Sequence, residues 1–229
     1  MTIRGPLAVG GGLIAAGLVV FVALLDGVRE SADLSSWDSP VLRWLLTHRT
    51  PTATSVFTWI SWLGDPPVLG AAVLVLAALL VRRTRRRRPA VLLVGAMGLA
   101  LVVSAGLKAA IARPRPPVSM MIAPAELDFA FPSWHTIGTA VVLLVSGYVW
   151  WTTRRTTRTA LVALTVSGLG TLTMATSRLY LGYHWLTDIT ASIALAVVIL
   201  GIVIVVDSGA DAVRSTHDRP GTMLRSGTY

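Results

Sequence analysis

Lys108 and Arg115 belong to the first of three short segments whose residue types could do chemistry. Lys108 is the only lysine among the 20 basic residues of the chain. Its ammonium group can donate to phosphate oxygens, and a separation of seven residues, about two helical turns, lets both cations share a helix face. Pro114 and Pro116 end a helix, so Arg115 should leave it at a surface. The segment predicts an anion-binding pair, although a lysine reaching from a helix end to water is the simpler alternative.

His135 closes the second segment, which reads Phe131-Pro132-Ser133-Trp134-His135. Ser133 is a plausible helix N-cap, and the free N–H groups of a helix N-terminus attract anions. Histidine can accept or donate a proton near neutral pH. A lone histidine at such a place is usually structural, so its catalytic interpretation depends on the other two segments.

Arg178, His184 and Asp188 lie in the third segment, residues 177–188. His184 and Asp188 are four residues apart and would be neighbours on one helix face. A carboxylate there can accept the proton of one imidazole nitrogen and leave the other nitrogen free as a nucleophile. The alternative is a pair that only stabilises a helix. Ionisable groups at membrane depth are costly unless they function, which favours the catalytic interpretation.

The composition indicates that a membrane protein must position these segments. Of the 229 residues, 54% are hydrophobic and 14% are charged, and the mean hydropathy is +0.69. A soluble domain of this size cannot bury that much apolar surface. The net charge of +9 is packed into short runs between uncharged stretches, which argues against a nucleic-acid-binding role. Cysteine is absent, which excludes disulfides, thiolate catalysis and cysteine-bound metals.

Six stretches are long enough, or nearly so, to cross about 30 Å of hydrocarbon as helices. They are Pro6–Leu25, Pro66–Val81, Pro89–Ala110, Thr136–Trp151, Thr159–Thr176 and Ile189–Val206. The first could be a cleaved signal peptide, but its apolar run exceeds the usual ~7–15 residues, so an uncleaved anchor is favoured. The sequence therefore predicts an all-α, polytopic membrane protein with one six-helix domain over residues 1–206.

The basic residues predict the orientation of these helices. Arginine runs at residues 82–88 and 154–158, and the arginines near both termini, lie on one side of the membrane if the termini are cytoplasmic. The positive-inside rule selects this orientation. The run at 82–88 is interpreted as a topology signal, with binding of anionic inner-leaflet lipid as the alternative. The polar segment 207–229 is predicted to be a disordered cytoplasmic tail.

Residues 26–65 would then lie outside the cytoplasm. The stretch Pro51–Leu63 is apolar but too short to span a bilayer. Four tryptophans, a residue type favoured at membrane interfaces, occur in this region at Trp37, Trp44, Trp59 and Trp62. The region is therefore predicted to contain an interfacial helix or cap.

The same topology brings the three chemical segments together. Span three ends outside, spans four and six begin there, and span five ends there. The residues that consequently fall on the outer side are Lys108, Arg115, His135, Arg178 and His184. Nothing in the motif spacing required this agreement. It predicts one extracytoplasmic site in the cell membrane.

These segments resemble the Lys-x6-Arg-Pro, Pro-Ser-Gly-His and Ser-Arg-x5-His-x3-Asp motifs of the type 2 phosphatidic acid phosphatase superfamily, which includes soluble vanadium haloperoxidases. The resemblance covers Lys108–Asp188 at motif level, and the six-span plan extends it over most of the chain. It implies a membrane phosphatase that hydrolyses a phosphomonoester or diphosphate of a lipid. It also implies that neither a metal nor another cofactor is used, because three cations can stabilise the phosphate oxygens.

The resemblance further implies a role for each residue. His184 would attack phosphorus and form a phosphohistidine, with Asp188 orienting it. His135 would protonate the leaving oxygen and then activate water. The phosphate oxygens would be held by Lys108, Arg115, Ser133, Trp134 and Arg178.

Trp134 departs from the pattern, because the motif has glycine at this position. The Trp134 N–H is retained, but its indole enters where the backbone normally approaches phosphate. A crowded site could exclude water, so a phosphotransferase that passes the phosphoryl or phospho-headgroup to an alcohol is the alternative function. A haloperoxidase is disfavoured because those relatives are soluble, and a non-catalytic lipid-binding protein would not need every ionisable motif position. Phosphatidate, phosphatidylglycerophosphate and polyprenyl (di)phosphate remain open as substrates.

Overall fold

A computed structural model describes residues 4–30 and 33–217, and the chain within these ranges forms eight α-helices and no strand. The helices are α1 (Arg4–Glu30), α2 (Asp38–Thr47), α3 (Pro51–Leu63), α4 (Pro66–Thr84), α5 (Arg88–Ile111), α6 (Trp134–Arg154), α7 (Thr157–Tyr180) and α8 (Leu186–His217). Six of them, α1, α4, α5, α6, α7 and the first part of α8, are long and apolar enough to cross a membrane. The predicted all-α fold with six spanning helices is confirmed.

The helices begin and end where the local sequence allows it. Proline occupies the first turn of α4 and of α5, where its missing N–H has no helical partner to lose. Helices α4, α5 and α6 each end at a residue in the left-handed conformation, namely Arg85, Ala112 and Arg155. The N–H of each of these residues closes the last turn of its helix.

Helix α8 is longer than the sequence predicted. It continues to His217, whereas residues 207–229 were predicted to be a disordered tail. Asp207 gives a physical reason, because its carboxylate pairs with Arg88 on α5 at 2.7 Å and accepts a hydrogen bond from Tyr148 on α6 at 2.7 Å. These contacts fix the helix beyond the predicted boundary. The rest of the predicted tail, residues 218–229, lies outside the described residues.

Helix α1 packs closely along α8 through small residues. A Cβ added to Gly17 would lie 2.8 Å from the carbonyl oxygen of Ala194, and one added to Gly10 would lie 2.9 Å from that of Gly201. Small residues at helix contacts let backbones approach within a membrane. Phe21 and Leu24 of α1 are also buried in the core. These contacts make α1 part of the helix bundle.

Helices α2 and α3 connect α1 to α4, and α3 has the bounds predicted for the short apolar helix. The tryptophans of this region have exposed side chains, namely Trp37, Trp44, Trp59 and Trp62. Arg49, between the two helices, donates to the carbonyl oxygens of Tyr180 and Met120, each at 2.8 Å. The segment is thereby fixed to the end of the bundle where α7 finishes.

The connections between the spanning helices lie at two opposite ends of the bundle. The α1–α4, α5–α6 and α7–α8 connections share one end, which we call the cavity end. The α4–α5 and α6–α7 connections, which contain the arginine runs, share the other, which we call the arginine end.

Candidate active site

A cavity of about 540 Å³ opens at the cavity end, between the α3–α4 turn, helix α5, the α5–α6 loop and the starts of α6 and α8. Five of the residues predicted from the sequence line it, namely Lys108, Arg115, Trp134, His135 and His184. Its volume is within the usual range for a small-molecule site. The structure therefore brings the three chemical segments together around one space.

His184 presents a specific nitrogen to this cavity. Its Nε2 lies 3.0 Å from Nη1 of Arg115, and its Nδ1 lies 3.3 Å from Oδ2 of Asp188. Because a guanidinium can only donate, Nε2 must be the acceptor and Nδ1 must carry the proton. Burial lowers the pKa of His184 well below its usual value, and the positive charges of Arg115 and Arg178 lower it further. His184 is therefore a neutral imidazole with its Nε2 lone pair directed at a cation of the cavity.

The contact between His184 and Asp188 is made differently from the prediction. Helix α8 begins at Leu186, so His184 precedes the helix and does not share a face of it with Asp188. The Oδ2 atom of Asp188 also accepts the N–H of Trp185 at 2.9 Å. One carboxylate thus accepts a backbone N–H at the start of α8 and also holds the imidazole of His184.

Arg113 supports Asp188 from behind and was not predicted as a site residue. It forms ion pairs with Asp188 and with Asp38 of α2, the latter at 2.6 Å. Asp38 also accepts the backbone N–H of Thr187 at 2.9 Å. A signal was present in the sequence, since Arg113-Pro114 repeats the Arg-Pro pair of the motif that follows it directly. The partner Asp38 had no such signal.

His135 has a carboxylate partner that the sequence did not indicate. Its Nε2 lies 2.9 Å from Oδ1 of Asp65, the residue before α4. A Cβ on the preceding Gly64 would lie 2.9 Å from the ring of His135, so the glycine allows this turn to pack against the imidazole. Partial burial raises the pKa of Asp65. An aspartate before two prolines indicates only a helix start from the sequence.

The three predicted cations meet two carboxylates of the α5–α6 loop. Lys108 Nζ lies 2.8 Å from Oδ2 of Asp128, and Arg115 Nη2 lies 2.8 Å from Oε2 of Glu126. Arg178 pairs with the other oxygen of Glu126. Lys108 and Arg115 do not share a helix face as predicted, because α5 ends at Ile111, and they converge on Asp128 instead. The cations form one cluster that already binds anionic groups.

Arg178 and Ser133 do not line the cavity. The Arg178 side chain is 1% exposed, lies over the ring of Tyr183 and reaches the cluster through Glu126. Its Nε–H has no partner among the described residues. Ser133 precedes α6 as predicted, but its side chain makes no capping bond and its N–H donates to Ser192 at 2.8 Å. That N–H is therefore already engaged in the described structure.

Trp134 forms a wall of the cavity. Its indole Nε1–H is buried and has no hydrogen-bond partner among the described residues. A Cβ on Gly138 would lie 3.5 Å from the Trp134 ring, so the indole lies along the next turn of α6. The side chain thus contributes apolar surface and one unpaired donor beside His135.

Comparison with known proteins identifies the family and the fold. The family model of the PAP2 superfamily matches residues 89–210. A transmembrane PAP2-type phosphatidylglycerolphosphate phosphatase from Bacillus subtilis has a similar structure, with a TM-score of 0.72 and 21% identity over 89% of this chain and 99% of that one. Aquifex aeolicus LpxE is similar with a TM-score of 0.57 and 22% identity, over 73% and 93%. The curated proteins contained no match. At these identities the two structures show a shared fold.

Proposed function

Because the chain belongs to the PAP2 superfamily, we propose that it is a lipid phosphate phosphatase that works through a phosphohistidine at His184. One observation carries the proposal: His184 is held with Nε2 as its lone-pair nitrogen in a cavity that His135 also lines. Lys108 and Arg115 line the same cavity and supply positive charge for phosphate oxygens.

The reaction follows from these positions. Nε2 of His184 attacks phosphorus, and the bond from phosphorus to the lipid oxygen breaks. His135 gives its proton to that leaving oxygen, so the lipid departs as an alcohol from a monoester or as a lipid monophosphate from a diphosphate. His135 then takes a proton from water, whose oxygen attacks the phosphohistidine and releases phosphate. Asp188 fixes the tautomer of His184, and the cations hold the phosphate oxygens in place.

The substrate carries a phosphate at the membrane surface. The cavity is at the end of the bundle opposite the arginine runs, which supports an extracytoplasmic site with both termini in the cytoplasm. The Bacillus subtilis relative is named for phosphatidylglycerolphosphate. That lipid, phosphatidate and polyprenyl diphosphate are therefore the first candidate substrates. Apolar residues such as Leu101 and Trp134 form the inner walls of the cavity.

A substrate panel tests the function. Purified protein is incubated with the three lipids, and both free phosphate and newly formed phospholipid are measured. We expect free phosphate from at least one lipid and none from the His184→Ala variant. New phospholipid without free phosphate would support transfer to an alcohol, and no turnover of any lipid phosphate would refute the proposal.

Cysteine labelling tests the orientation. The chain has no cysteine, so Ala125→Cys in the α5–α6 loop and Thr157→Cys at the arginine end can be compared without background. In intact cells an impermeant maleimide should label the first variant and spare the second. The reverse pattern would place the site in the cytoplasm.

A further inference from the structure

Glu126 and Asp128 of the α5–α6 loop form ion pairs with the cations that the proposed reaction needs to bind phosphate. Asp128 contacts Lys108 at 2.8 Å and Arg115 at 2.5 Å. Glu126 contacts Arg115 at 2.8 Å with one oxygen and Arg178 with the other. Each of the three cations therefore has a carboxylate as its partner.

Arg115 has no donor group left for an additional anion. Its Nε–H donates to the Asp128 carbonyl oxygen at 2.9 Å, and Nη1 donates to the Tyr183 carbonyl oxygen at 2.7 Å and to His184 at 3.0 Å. Its Nη2 is shared by Glu126 and Asp128. A phosphate oxygen can bind Arg115 only by replacing one of these partners. Of these partners, only the two carboxylates are negatively charged. A bound phosphate would repel them and could take their place.

The charges make this replacement possible. Two carboxylates carry a charge of −2, and a phosphomonoester carries about −1.5 to −2 near pH 7. Either can balance the cations, but both together would place like charges in contact. The pKa of Asp128 lies below its usual value, because burial, which alone would raise it, is outweighed by the hydrogen bond from Lys108 and the charge of Arg115. Asp128 is therefore ionised and competes as an anion.

The two carboxylates can leave the cluster at modest cost. The Asp128 side chain is 60% exposed and that of Glu126 is 28% exposed, whereas the Arg115 side chain is 6% exposed. Residues 121–133 form no helix, so the backbone hydrogen bonds of a helix do not hold them. Arg115 and Arg178 have further partners outside this loop. The carboxylates are the more exposed members of the cluster.

We infer that Glu126 and Asp128 set the affinity of the site by competing with phosphate for Lys108, Arg115 and Arg178. The inference rests on the proposed function for the identity of the site. A substrate phosphate displaces the carboxylates when it binds, and the carboxylates displace the phosphate product when it leaves. Both substrate and product are bound more weakly than they would be by the cations alone.

Neutral variants test the competition. Glu126→Gln, Asp128→Asn and the double variant are compared with wild type and with Glu30→Gln, which removes an exposed carboxylate at the same end of the bundle. Binding of radiolabelled orthophosphate is measured by equilibrium dialysis in phosphatidylcholine nanodiscs. In the double variant we expect Kd to fall by about tenfold or more, as removal of a like-charged neighbour predicts, and Glu30→Gln to match wild type. KM for the hydrolysed lipid should fall in parallel.

An unchanged or higher Kd would overturn the inference, since carboxylates that merely position the cations would weaken binding when removed. The Glu126→Gln variant keeps an oxygen acceptor for Arg178. If the double variant does not fold, the Kd of Asp128→Asn alone, at a more exposed position, tests the inference. If wild type hydrolyses no lipid phosphate, the proposed function fails, while the dialysis still tests the competition. Absence of orthophosphate binding in every variant would also overturn it.

Discussion

Exposed arginines of the arginine end and buried arginines of the cavity end have different surroundings. At the arginine end, the side chains of Arg83, Arg86 and Arg154 are exposed. At the cavity end, the side chains of Arg115 and Arg178 are only 6% and 1% exposed and are paired with carboxylates. An exposed charge stays hydrated, so its free-energy cost is small even without an ion-pair partner. Its position along the chain therefore matters more than what it contacts. A buried charge must be paired, and this pairing gives it a fixed direction.

Burial therefore indicates which arginines can recognise a ligand. The exposed arginines are the predicted topology signal, which depends on their number and side. The buried arginines have a fixed geometry. Arg115, for example, donates from each of its nitrogens to a defined partner that a phosphate oxygen could replace. If this is correct, the reaction depends on the buried groups of the cavity and not on the exposed arginines, and four predictions test this.

The largest effect is expected at His184. Replacement of the nucleophile, His184→Ala, should lower kcat on the order of 10⁴-fold or more, because no other group can form the covalent intermediate. Asp188→Asn should leave weak activity, since only orientation and charge support are lost. His48→Ala, an exposed histidine at the same end, is the matched control and should retain activity. Normal phosphate release by His184→Ala would end the proposed mechanism.

A large effect is also expected for one arginine and not for another. Arg115→Gln should lower kcat/KM by about 10²–10³-fold, the range for loss of a donor that stabilises transition-state charge. Arg83→Gln removes the same charge at the arginine end and should change kcat/KM by less than about twofold. Initial rates at subsaturating lipid phosphate measure both variants. Equal losses would mean that net charge, and not geometry, controls the reaction.

A smaller and selective effect is expected at Trp134. Because its ring is a wall of the cavity, Trp134→Gly should broaden the range of headgroups accepted, with kcat/KM changing by factors that differ by about 10–200-fold between lipids. Trp150→Gly, near the other end of the same helix, controls for the cost of glycine in α6. One common factor for every lipid would show that Trp134 acts only as an anchor.

The smallest effect is expected from metal removal. Three cations replace a metal ion in the proposed mechanism, so excess EDTA should leave phosphate release nearly unchanged. Vanadate, which mimics five-coordinate phosphorus, should inhibit. The decisive contrary result is loss of activity in EDTA with recovery on addition of Mg²⁺.

Much of the fold and part of the site could be predicted because their signals are local. A helix that crosses a membrane must be apolar along its whole length, so each span is visible without knowledge of its neighbours. The alternation of sides then placed Lys108, Arg115, His135 and His184 at one end, and all four line one cavity. The bounds of the helices were less accurate, because caps such as Ala112 and contacts such as that of Asp207 depend on the fold.

The carboxylates of the site could not be predicted in the same way. Asp65, Glu126 and Asp128 are separated from their partners by between 11 and 70 residues, and no spacing marks them. A carboxylate in a connecting segment is usually only hydrated. What distinguishes these three is that the bundle places each one beside a buried histidine or cation.

The six spans, their alternation and the types of the reacting groups could be predicted from the sequence alone, because hydrophobicity and side-chain chemistry are properties of each residue and its near neighbours. The fold was needed to show which nitrogen of His184 carries the lone pair, which carboxylates neutralise the cations and that Trp134 faces the cavity. The reason is that hydrogen bonds and ion pairs act over a few ångströms. Their partners are chosen when the folded chain brings distant segments within that range.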